Sequence, residues 1–130
     1  MPLEYKIINE KKLVHVTGWG IITFSELMSH MDELHSDPLY QKPMKKLIDY
    51  RQVDDIQLSM DETETFTQRK AEFSDSFAGE KCAIVAPKDV AYGTARVHDA
   101  LIEIKEPDIE TSVFRKMDEA LEWLDIEIDD

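Results

Sequence analysis

The chain has 130 residues, a net charge of −13, 42% apolar and 33% charged residues. That is the composition of one globular domain, which excludes a disordered, fibrous or membrane-spanning chain. Its 15 Lys and Arg are scattered among 28 Asp and Glu, so the basic footprint needed for nucleic acid or anionic lipid is missing, and the charge reads as solubility and self-repulsion.

Leu3 to Ile8 and Lys12 to Thr17 read as strands joined by the short polar Asn9-Glu10-Lys11, predicting an antiparallel hairpin. Gly18-Trp19-Gly20 is expected to end the second strand. Thr23-Phe24-Ser25-Glu26 fits a capping box, and Phe24, Leu27, Met28, Met31 and Leu34 form one apolar stripe, so a helix is predicted from Thr23 to Pro38. Lys45 to Arg51 reads as a short core strand followed by an acidic loop at Asp54-Asp55. A second capping box, Ser59-Met60-Asp61-Glu62, opens a helix with Phe66, Phe73 and Phe77 on one stripe, stopped at Gly79.

The apolar run Cys82 to Ala86 is a buried strand from Lys81. It feeds a helix from Asp89, whose stripes Val90, Thr94, Val97, Leu101, Ile104 and Ala91, Ala95, His98, Ile102 make a wide apolar face. Thr111 to Arg115 reads as a strand. Asp118 is expected to cap a last helix containing Ala120, Leu121 and Leu124, with an acidic, frayed tail from Asp125 to Asp130. The order β-β-α-β-α-β-α-β-α predicts a single α/β domain. Its five-stranded sheet is mixed but mostly parallel, with one antiparallel edge and helices on both faces. The N-terminus MPLEYKII lacks a secretory pattern and Cys82 is alone, so the expected location is cytoplasmic, without an intrachain disulfide.

This element order, with the runs AIVAPKDVAYGTARVHDAL, LIDYRQV followed by Leu58-Ser59, and VFRKMDEALEWL, resembles the small bacterial SpoIIAA-like proteins of the STAS/Sec14-like type. The resemblance runs from about Tyr5 to Leu124 and implies a compact α/β domain without a settled activity. It implies two functional ideas. One is a phosphorylated serine at the start of a helix, as in domains that antagonise anti-sigma factors; that position falls near Ser59. The expected Asp-Ser-Ser-Gly type loop is absent, and Asp61 and Glu62 would repel a phosphate that the helix terminus attracts. The other idea is an apolar ligand or lipid under a movable helix, with peripheral membrane contact.

Reactive motifs are missing. Gly18-Trp19-Gly20 is a bare Gly-x-Gly, and neither a P-loop nor a Gly-x-Ser-x-Gly elbow occurs. His30 and His35 are five apart, on different faces of a helix. No metal, cofactor or catalytic residue is expected. Two readings of Asp49 and Arg51 are open: a polar anchor for a ligand at the carboxyl edge of the sheet, or a local ion pair. Tyr92 and Arg96, four apart, are placed to stack. The favoured function is a non-enzymatic binding or regulatory module. It would bind a small apolar or amphiphilic ligand near Asp49, Arg51, Phe66, Phe73, Phe77, Tyr92 and His98, with a protein partner or homodimer as further expectations. A Ser59-regulated interaction domain and an acid–base enzyme using Asp49 are the alternatives.

Overall fold

The computed structural model describes residues 3–41, 44–72, 81–89, 92–96 and 110–128. Strands β1 (Leu3–Ile8) and β2 (Leu13–Thr23) form the expected hairpin, in unbroken antiparallel register from Leu3 opposite Gly18 to Ile8 opposite Leu13. Lys12 closes the turn at φ 48. Strands β3 (Lys45–Gln57), β4 (Lys81–Val85) and β5 (Glu110–Phe114) follow in parallel, and the sheet order is β1-β2-β3-β4-β5. Helices α1 (Phe24–Ser36), α2 (Met60–Glu72) and α3 (Met117–Leu124) complete the set, and residues 92–96 are helical.

Each parallel step moves the same way across the sheet, so right-handed crossovers place the connecting helices on one face. There α1, α2 and segment 92–96 cover Val14, Val16, Tyr50, Cys82 and Ile84. Helix α3 comes after the last strand and covers the other face through Leu13, Leu47, Ala83, Val85, Ala120 and Leu124. Cys82 is buried and in no disulfide.

Several boundaries correct the sequence reading. Gly18 and Gly20 bend β2 instead of ending it. A Cβ on Gly18 would lie 2.9 Å from the Tyr50 ring, and Gly20 sits at φ 66, so the glycines admit a close neighbour and a left-handed kink within a continuing strand. The extended β2 in turn supplies a partner for β3 as far as Gln57, and Asp54-Asp55 is strand, not loop. Pairing passes from Thr17/Asp49 to Trp19/Gln52, then from Gly20/Val53 to Ile21/Asp55. Each step takes up an extra β3 residue, a bulge that breaks the two-residue alternation. Buried Val53 and Ile56 are therefore three apart, invisible to a search for period two.

At the start of α1, the Thr23 hydroxyl donates to Glu26 Oε1 at 2.8 Å and caps no backbone N–H. The Ser59 box is complete: Glu62 N donates to Ser59 Oγ and Ser59 N donates to Glu62 Oε1, both at 3.0 Å. In α3, Lys116 holds the N-cap position instead of Asp118. The tail is tied down through Ile128: Asp125 turns left-handed at φ 56, Ile126 N donates to Leu121 O at 3.1 Å, and Ile126 and Ile128 pack on the α3 cluster. No described helix is long and apolar enough to cross a membrane.

Candidate functional site

Strand alternation and helix spacing converge on a cavity between the sheet and its three-helix cover. Val16 from β2, Ile48 and Tyr50 from β3 and Ile84 from β4 form the floor. Leu27 and Met31 come from α1, Phe66 from α2, and Thr94 and Ala95 from segment 92–96. The cavity measures about 70 Å³ and its lining is mostly apolar. Its polar edge is His30 from α1, Lys46 from β3 and Lys70 from α2, and both lysines are buried.

Each polar edge residue lies in step with an apolar wall residue. Lys46 is two residues from Ile48 in a strand, His30 three from Leu27, and Lys70 four from Phe66. These spacings are readable in the sequence, but charged side chains are by default exposed, and spacing alone does not mark the exceptions. The same face of α2 buries Thr63 and Thr67. Their hydroxyls donate back to Ser59 O at 2.9 Å and Thr63 O at 2.8 Å, so the helix satisfies them itself and they can pack inward.

Burial first, and then the positive fields of Lys46, His35 and Lys70, lower the His30 pKa to about 3, so the ring is neutral. Its Nε2 is shut off from solvent without a hydrogen-bond partner among the described residues. The cavity thus joins an apolar body to an edge bearing two ammonium groups and a neutral imidazole. Among the described lining residues no carboxylate stands beside the imidazole.

Of the residues expected at the site, Phe66 lines the cavity. Phe73, Phe77 and His98 lie outside the described residues. Asp49 and Arg51 are not in the cavity wall. Alternation puts them on the sheet face opposite Ile48 and Tyr50, with Asp49 mid-strand, level with Val85 at the end of β4. There they form the local pair: Arg51 N and Nε donate to Asp49 Oδ1 at 3.0 Å, and Nη2 donates to Oδ2 at 2.8 Å. Burial pushes the Asp49 carboxyl up. The hydrogen bonds and charge of Arg51, with His15, outweigh it and hold the carboxyl below its ordinary range, which makes Asp49 a weak proton acceptor.

Tyr92 is half-buried against the core, and Arg96 lies 6.0 Å from its ring centroid. Arg115 sits closer, at 4.1 Å, while bonding Asp89 at 2.7 Å and Pro87 O at 3.1 Å. Tyr92 therefore helps fasten segment 92–96 to the end of β5. Ser59 is exposed, and its hydroxyl is engaged in the cap with Glu62. Among the described residues, no three His, Cys, Asp or Glu side chains group as metal ligands.

No family model and no curated protein matches the chain. A solved structure does: the chain is similar to an uncharacterised protein of the DUF3478 family with a SpoIIAA-like fold from Shewanella loihica PV-4. The two share 17% identity with a TM-score of 0.60, over 94% of this chain and 93% of that one. The fold is SpoIIAA-like.

Proposed function

We propose that this protein is a non-enzymatic binding module for a small apolar or amphiphilic, lipid-like ligand, serving a regulatory or interaction role. The observation that supports it is the cavity beneath α1, α2 and segment 92–96, apolar along its walls and cationic at one edge. Sites for drug-sized ligands span roughly 300–1,000 Å³, against about 70 Å³ here. The closed form accepts only the end of a chain, and uptake of a whole lipid requires α2 or segment 92–96 to swing outward.

Exposed Trp19 and Ile21 on β2 and Met60 at the start of α2 lie toward the carboxyl end of the parallel strands. They would let the module rest on an uncharged bilayer, while the net charge of −13 repels anionic headgroups. The acid–base alternative loses ground because Asp49 is committed to Arg51.

Native mass spectrometry of freshly purified protein, followed by a fatty-acid and lysolipid panel, tests the reading. The expected result is a stoichiometric adduct that Ala95→Met, filling the cavity, abolishes without lowering the melting temperature. Bare protein with no uptake from the panel would overturn it.

A further inference from the structure

The open edge of the sheet carries a second feature, which shares only His30 with the lining of the cavity. Strand β1 is terminal, paired with β2 on one side. Among the described residues nothing pairs with its other side, so alternate N–H and C=O groups of residues 3–8 face outward. Natural edges of this kind are blunted by charged side chains, bulges or prolines, and of these β1 carries the charges of Glu4 and Lys6. Residues 3–8 contain no proline, and their register is unbroken.

A groove of about 650 Å³ runs beside this edge, between residues 3–7 and α1. One wall is Glu26, His30 and Glu33, at helical spacings of four and three, with Asp37 at the C-cap of α1. Leu39, 52% exposed, lies at its end. Tyr5 crosses its floor, donating to Asp37 Oδ2 at 2.8 Å and meeting the His30 ring edge-on at 5.6 Å. Glu26 Oε2 and His30 Nε2, in the same wall, are closed off from solvent without hydrogen-bond partners among the described residues.

We propose that this groove docks an extended basic segment of another protein, added to β1 as a sixth strand. An added strand satisfies the outward backbone groups, the mode known as β-augmentation. Its alternate side chains project toward the acidic α1 stripe, where Glu33 faces the groove and the charges of Glu26 and Asp37, which already accept from Thr23, Tyr5 and Leu39 N, add to the negative field. The segment that fits therefore carries Lys or Arg at every second position. It is about six residues long, since β1 spans about 20 Å at roughly 3.3 Å per residue.

A second copy of this chain is the competing occupant. Pairing β1 with itself about Tyr5 would set Glu4 against Lys6 of the other copy. It would also bring two acidic α1 stripes and two chains of charge −13 together, and that repulsion favours a basic partner. The groove meets the ligand cavity at His30, but docking a strand on β1 requires no ligand in the cavity, so each is tested separately.

The test is an amide chemical-shift titration of the protein with acetyl-Lys-Val-Lys-Thr-Lys-Val-Lys-amide. The expected shifts map to residues 3–8 and the outer face of α1. Glu33→Lys weakens binding roughly fivefold or more, as reversing a charge opposite a charged partner does. Asp61→Lys, the same charge change on the exposed first turn of α2, leaves it intact. Four outcomes would overturn the proposal: no shifts at millimolar peptide, equal loss in both variants, equal binding when Glu replaces Lys in the peptide, or a concentration-dependent dimer through the same amides without peptide.

Discussion

Gly18 shows how much one missing methyl group decides. Its backbone lies against the Tyr50 ring, with the Ile22 side chain 3.0 Å from where a Cβ would sit. Both neighbours belong to the buried core, so neither can swing away. Gly18→Ala should destabilise the protein by about 1–3 kcal/mol, the usual range for overpacking, measured by urea unfolding. An unchanged midpoint would show that the β2 bend does not depend on this contact.

His30 gives the second residue-scale prediction. Its folded pKa, about 3, lies below the ordinary value of 6.5. The unfolded chain therefore takes up a proton that the folded one refuses. Stability is fully present above pH 6.5 and is lost as pH falls toward 3. At about 1.4 kcal/mol per unit, acidification from pH 7 to 5 should cost about 1–2 kcal/mol, and His30→Leu should remove that slope. Asp49 also loses stability on acidification, but starting only as pH falls through the ordinary carboxylate range and continuing below it, because its folded pKa is depressed from 3.8. The two windows separate in a pH series of unfolding curves of protein and variant.

At the scale of elements, the legible parts were those where local chemistry and tertiary packing agree. The β1–β2 hairpin, the α1 stripe and the Ser59 capping box follow from spacing alone. Ser59→Ala should cost about 1 kcal/mol by losing one half of that box, read from the unfolding midpoint; no loss would mean that water replaces the cap. The Thr23 box has the same hydroxyl-to-Glu spacing, yet its hydroxyl went to the Glu26 carboxylate, so pattern alone does not choose between cap and side-chain partner. The second halves of β2 and β3 were hidden for a different reason. Bulges and glycines mark the end of a strand in a one-dimensional reading, but here the two strands carry each other past them. The cavity was half legible. Phe66 was found because it is apolar; His30, Lys46 and Lys70 were missed because buried charge contradicts the default. The spacing of two in Asp49 and Arg51 left a ligand anchor and a local ion pair both open; the structure forms the ion pair, on the sheet face away from the cavity.

For the whole molecule, the sequential strand order has a functional consequence. All parallel crossovers fall on one face, so that face acquires a three-element cover with a cavity beneath it, while α3 packs on the other face through Ala120 and Leu124. A ligand bound only by the folded form should raise the melting temperature with ligand concentration, by about 2.7 kcal/mol of stability at a hundredfold excess over its Kd. The most direct measurement is a methyl chemical-shift titration with a long-chain fatty acid. The account predicts saturable shifts at Met31, Ile48 and Ile84 in the cavity, with Leu13 and Leu47 on the opposite face unmoved. Shifts confined to exposed Ile21 and Met60, or none at saturation, would contradict it.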